Sequence, residues 1–118
     1  MVDRQALGRW GEEVAVEHLQ AQGVEVLDRN WRCREGELDL VVRELGTVAF
    51  VEVKTRSGLG YGEPAEAVSR LKARRIHGLA ARWLAEHRPR GVVELRFDVV
   101  SVLRTPDGPE VVHLRGAF

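Results

Sequence analysis

Cysteine is almost missing from this chain. Cys33 stands alone among 118 residues, which excludes an intramolecular disulfide and a cysteine-built metal cluster, and fits a reducing compartment. Net charge is missing as well: 18 Lys and Arg balance 18 Asp and Glu, so no global field draws the molecule onto nucleic acid and any such footprint has to be local. No apolar run approaches the roughly 18 residues of a membrane span, and no secretory signal pattern is visible. A cytoplasmic protein with no membrane partner is therefore expected. The four histidines (His18, His77, His87 and His113) show no metal-ligand spacing, and no phosphate-cradling GxxxxGK[ST] occurs. Lysine is scarce too, with Lys54 and Lys72 the only two. Arginine thus serves wherever a plain positive charge suffices. A retained lysine points to chemistry that arginine cannot do, because an ammonium can be desolvated and can act on a water molecule. The surplus of arginine and the single Asn30 suit a thermophile or a GC-rich genome equally.

What remains is an ordinary globular composition, 44% hydrophobic and 31% charged, long enough for one domain over residues 1–118. The densest chemistry lies in Phe50-Val51-Glu52-Val53-Lys54-Thr55-Arg56. In a strand, residues i and i+2 share a face, so Glu52 and Lys54 point one way and Val51 and Val53 the other. Upstream, Gly36-Glu37-Leu38-Asp39-Leu40-Val41-Val42 has the same alternation, and Glu44-Leu45-Gly46-Thr47 between them reads as a tight hairpin turn. With the turn centred between Leu45 and Gly46, Leu40 faces Val51, Val42 faces Ala49, Leu38 faces Val53 and Asp39 faces Glu52. One face of the hairpin is then apolar, and Glu37, Asp39, Glu52 and Lys54 gather on the other. Opposed like charges repel. Lys54 can offset part of that repulsion, and a divalent cation such as Mg²⁺ or Mn²⁺ held through oxygen can offset the rest. The plainer reading is a Glu-Lys pair on a solvated strand face.

Elsewhere, Asp3 is a candidate N-cap and Gly23 a candidate C′ residue, bracketing a helix over 4–22. Gly8, Gly11, Glu12, Ala15 and Leu19 fall on one arc of it, which predicts close approach of the helix to a sheet. Glu12 is then either an edge-of-core carboxylate or a solvated residue favoured by the helix dipole. A strand is expected over 24–27, leading into Asn30-Trp31-Arg32 and a basic turn. Trp31 is a packing anchor or, more sharply, a base-stacking residue. Residues 55–64 are too rich in glycine and proline for regular structure, and form either a phosphate-gripping loop or a simple connection. The pattern over 64–88 is helical, with Val68, Lys72, Ile76, Leu79, Ala80, Trp83 and Leu84 in one stripe and Pro89 beyond. Seven basic residues against Glu86 between Ser69 and Arg90 form the one strong charge asymmetry. It is either a phosphate-binding face or a solvated one. A strand over 92–103, with Leu95, Phe97, Val99 and Leu103 on one side, precedes a turn and a returning strand over 110–114.

These motifs resemble the PD-(D/E)xK nuclease superfamily and, more closely, the YraN family of endonuclease-like proteins, related in fold to archaeal Holliday-junction resolvases. The matching stretches are Gly8-Arg9-Trp10-Gly11-Glu12, Arg29-Asn30-Trp31-Arg32, Gly36-Glu37-Leu38-Asp39-Leu40, Phe50-Val51-Glu52-Val53-Lys54-Thr55-Arg56, Glu66-Ala67-Val68, Arg96-Phe97-Asp98-Val99 and Gly116-Ala117-Phe118. Leu38 stands where the superfamily pattern has proline. The resemblance implies an α/β, restriction-endonuclease-like mixed β-sheet flanked by helices, and Mg²⁺- or Mn²⁺-dependent hydrolysis of DNA, with branched duplexes as the substrate class. It makes Asp39, Glu52, Glu12 and the Val53 carbonyl the metal ligands and Lys54 the residue acting on the attacking water. The nucleic-acid contacts expected are Arg56, Arg70, Lys72, Arg74 and Arg75. A binding or adaptor module that keeps the fold without turnover is the rival reading. Whether the chain forms a homodimer is left open.

Overall fold

The computed structural model describes residues 3–58 and 68–118. Helix α1 spans Arg4–Ala21; Asp3 caps it by accepting from the amides of Gln5 (3.0 Å) and Ala6 (3.2 Å), and Gly23, at φ +81°, turns the chain out as expected. Strands β1 (Glu25–Cys33), β2 (Gly36–Glu44) and β3 (Thr47–Ser57) follow as an antiparallel meander, then helix α2 (Arg70–His87), strand β4 (Glu94–Thr105) and strand β5 (Gly108–Leu114). The sheet order is β1-β2-β3-β4-β5, with β3 and β4 parallel and every other pair antiparallel. Since parallel neighbours need a crossover, the segment containing α2 supplies it. This is the expected mixed α/β sheet with helices on it, an architecture compatible with a restriction-endonuclease-like fold. Among the described residues, no helix is long and apolar enough to cross a membrane.

Two hydrophobic layers sandwich the sheet. Ala15, Val16 and Leu19 of α1 pack on Leu40, Val42, Ala49, Val51, Val100 and Val102. On the other face, Ile76, Leu79, Ala80 and Trp83 of α2 pack on Val41, Val48 and Phe50. Phe50 stacks on Phe97 at 5.5 Å and meets Trp83 edge-on at 5.9 Å. The buried Trp83 indole donates to Asp28 at 2.9 Å, so its one polar atom is satisfied.

Several boundaries differ from the sequence reading. The first strand runs on past Leu27 to Cys33, bulging between Val26 and Asp28, and the expected basic turn narrows to Arg34 and Glu35. Helix α2 is capped by Ser69, whose hydroxyl accepts from the Lys72 amide at 3.1 Å; of the irregular stretch expected over 55–64, residues 55–57 are paired in β3, while 59–64 and the part of the expected helix over 64–67 lie outside the described residues. Lys72 is not in the apolar stripe but exposed. Strand β4 is covered on both faces, so Val100 and Val102 are as buried as Val99, whereas Leu95 is exposed.

Candidate active site

One end of the sheet is a fork. The β2–β3 ladder keeps the expected register from Glu44 and Thr47 to Leu40 and Val51, and ends there. Beyond that point β2 stays paired with β1 to Gly36, and β3 stays paired with β4 to Ser57. The expected ladder pairs of Asp39 with Glu52 and Leu38 with Val53 are thus not formed. Instead the Asp39 carboxylate accepts the Val53 amide at 2.9 Å, replacing a lost strand bond with a side-chain one. Alternation breaks at the same place. Leu40 packs in the α1 layer, yet Leu38, two residues earlier, packs in the α2 layer. Across the β1–β2 ladder Trp31 pairs with Leu38 and Arg29 with Leu40, so Asn30, at φ +51°, lies opposite Asp39. Asparagine tolerates that left-handed conformation better than most residues, and it lets both strands turn over together.

Two carboxylates from other elements act on Asp39 of β2 at the fork: Glu52 from β3 and Glu12 from α1. Burial, and next the Glu52 charge, push the Asp39 carboxyl up to about 7; the Val53 amide opposes this, while Glu12 and a hydrogen bond to Glu52 reinforce it. The cation nearest Glu52 is not the expected Lys54. Lys72 of α2 places Nζ 2.5 Å from Glu52 Oε1. Lys54 is half-buried on the same strand face and makes no ion pair or hydrogen bond with a described residue. Glu37, expected to add to the acidic end, is taken by Arg32 at 3.2 Å. Among the described residues, no three His, Cys, Asp or Glu side chains stand as a ready-made metal ligand set.

On the α1 side the fork opens into a cleft of about 760 Å³ that reaches Asp39 and Glu12 between the first turns of α1 and strand β1. Arg4 and Arg9 line one wall, Arg29 and Arg32 the other. None of these four was among the expected nucleic-acid contacts. A helical wheel centred on Glu12 carries the signal for two of them, since residues 4, 8 and 12 share a face with 5 and 9. Of the contacts that were expected, Arg70, Arg74 and Arg75 are exposed on α2, Arg56 is half-buried on β3, and Lys72 is held on Glu52.

A second ionic cluster is structural. Asp98, fully buried on β4, accepts two bonds from Arg96 (both 2.9 Å), one from His113 Nε2 (2.8 Å) and one from the Gly116 amide (3.0 Å). Burial alone would raise its pKa, but those donors outweigh it and hold the carboxyl at about 2. Glu44 extends the cluster by binding Arg96 and, through two bonds, Arg115. The bond from the Ala117 amide to the Phe97 carbonyl (2.7 Å) then carries Phe118 onto Phe97 and His77. The motifs Arg96-Phe97-Asp98-Val99 and Gly116-Ala117-Phe118 thus serve to lock the C-terminal segment to the sheet.

Sequence comparison places the chain among close relatives. It is similar to a UPF0102 protein of Frankia alni (63% identical over 116 residues, 98% of this chain and 96% of the relative). Another, from Beutenbergia cavernae, is 58% identical over 114 residues, 96% of each chain. A third, from Mycolicibacterium smegmatis, is 57% identical over 117 residues, 96% of this chain and 93% of the relative. Residues 11–102, which hold the helical Glu12, the whole fork and Asp98, match the family model, and the chain belongs to the uncharacterised protein family UPF0102.

Proposed function

We propose that this protein is a divalent-metal-dependent endonuclease of the PD-(D/E)xK type, hydrolysing phosphodiester bonds in DNA, with branched or structured duplexes as its substrates. The observation that carries the reading is the fork: an opened ladder that leaves Asp39 under the charges of Glu52 and Glu12, with an arginine-walled cleft reaching down to Asp39 and Glu12. A solvated Glu-Lys pair requires none of that. The donors fit a hard cation, being carboxylates with no organised His or Cys among the described residues, and their mutual repulsion is of the kind a bound Mg²⁺ or Mn²⁺ relieves. Asp39 and Glu52 would hold the ion, with Glu12 and the Val53 carbonyl completing its surroundings. When bound, the ion supplies hydroxide near neutral pH and screens the charge of the leaving oxygen.

The protein's own groups do the positioning. The Val53 amide fixes Asp39 at the mouth of the fork. Lys54, without an internal partner among the described residues, is the ammonium available to orient the attacking water and to offset charge on the phosphoryl oxygens. Lys72 holds Glu52 until that carboxylate is needed. The same Lys72 contact favours a second reading, a nucleic-acid-binding module in which an internal ammonium has taken over from the metal. Incubation with Mn²⁺ and linear, nicked, flap and four-way-junction DNA decides between them. A nuclease cuts at least one substrate and loses cutting but not binding in Lys54→Ala; a parent that binds but cuts none is the binding module.

A further inference from the structure

Helix α1 has two interior glycines, and only one is explained by packing. A Cβ on Gly11 would stand 2.0 Å from Thr55 Oγ1, so that glycine lets the helix settle on β3. A Cβ on Gly8 would meet no atom of a described residue within 4 Å. Glycine weakens a helix interior, and at Gly8 the fold gains no contact in return. Gly8 does line the Asp39 cleft, one helical turn from both Arg4 and Glu12, and Arg9 is beside it. Arg29 and Arg32, on the opposite wall, are balanced by Glu13 (2.9 Å) and Glu37 (3.2 Å). Arg4 and Arg9 are exposed and make no ion pair or hydrogen bond with a described residue. The cleft thus has a bare stretch of helix backbone flanked by two uncommitted guanidinium groups, leading down to a carboxylate.

We infer that a nucleic-acid strand runs across α1, its sugar-phosphate backbone resting on Gly8 and its phosphates held by Arg4 and Arg9, which delivers the next phosphodiester to Asp39. The inference rests on the reading of this cleft as a phosphodiester site. It moves the main contact from the arginines of α2, which cover the opposite face of the sheet, to the first turns of α1. A missing Cβ matters here because it lets a ribose approach the helix backbone, whereas a methyl group would hold it off.

The test is anisotropy titration of a labelled duplex and a labelled four-way junction without divalent metal, at several salt concentrations, with a thermal melt of each variant. Gly8→Ala is expected to melt higher than the parent and yet bind several-fold more weakly. Gly78→Ala, at an exposed interior glycine of α2 that also has nothing within 4 Å, should melt higher and bind unchanged. Replacing Arg4 and Arg9 with Ala should flatten the slope of log K against log salt on the duplex by about 1.8, two contacts at about 0.9 each. If the parent binds but Gly8→Ala and the Arg4/Arg9 variant bind like it, while Arg70→Ala with Arg74→Ala loses affinity, the α1 track is overturned and the phosphodiester reading stands. A parent that binds neither probe overturns both.

Discussion

Two aspartates in this sheet respond to pH in opposite senses, because one is surrounded by donors and the other by acids. Asp98 has four bonds from Arg96, His113 and the Gly116 amide, and its pKa of about 2 lies below the ordinary aspartate value of 3.8. A depressed carboxylate contributes stability above its unfolded pKa and loses it as pH falls through the folded one. That contribution should therefore disappear between about pH 4 and pH 2. Asp98→Ala leaves the Arg96 guanidinium and the nearly buried His113 ring without their acceptor, and is expected to cost about 3–5 kcal/mol near neutrality. Urea unfolding at pH 7 and pH 2.5 checks both parts, the gap between variant and parent narrowing at the lower pH. Asp39 behaves conversely. Its pKa of about 7 is raised, so folding favours the protonated form and stability falls as pH rises from about 4 to about 7.

At the scale of elements, α1 is placed by one contact that leaves no slack. Thr55 presents Oγ1, Cγ2 and Cβ at 2.0, 2.6 and 2.8 Å from where a Gly11 side chain would begin. Threonine is stiff at χ1 and its Cβ is fixed to the β3 backbone, so the helix rather than the side chain has to give. Gly11→Ala should lower stability by about 1–3 kcal/mol despite its better helix propensity, and Thr55→Ala should restore part of the loss. Chemical denaturation of the single and double variants measures this. The same contact also shows how far sequence could be read. The two-residue period of strands and one turn were enough to place Leu40 on Val51 and Val42 on Ala49. They could not show that the ladder ends there, because period-two logic assumes an unbroken strand and carried Asp39 onto Glu52. Asn30 was the one visible hint of the break, a residue suited to left-handed backbone in an otherwise apolar and basic stretch. Glycine posed the same ambiguity. Gly8 and Gly11 share an arc of α1, and spacing gives both the same purpose, but only the packed sheet separates the one that touches Thr55 from the one that faces the cleft. Nor could spacing reveal that Lys72, twenty residues beyond Glu52, would reach that carboxylate instead of Lys54.

For the molecule as a whole, the fork couples the carboxylates to the stability of the domain. A domain of this size has about 5–15 kcal/mol to lose, so a local repulsion of one or two kcal/mol is measurable. Asp39→Asn removes one of the charges at the fork, and its amide oxygen can still accept from Val53. Without metal, the variant should be at least as stable as the parent at pH 8 and lose that advantage by pH 4, where Asp39 is already protonated. Added Mn²⁺ should reverse the ranking. A ligand bound only by the folded state stabilises by RT ln(1 + [L]/Kd), about 1.4 kcal/mol at tenfold excess over Kd, which raises the melting temperature of a domain this long by several degrees. The parent should show that rise, and Asp39→Asn should not. Thermal melts of both proteins at pH 4 and pH 8, with and without millimolar Mn²⁺, separate the cases. If Mn²⁺ leaves the parent's melt unmoved, the cation that serves Glu52 is Lys72, and the protein is a binding module built on a nuclease-like sheet. If Mn²⁺ raises the parent and the variant equally, the ion binds away from Asp39, and the assignment of the fork as the metal centre fails while the fold stands.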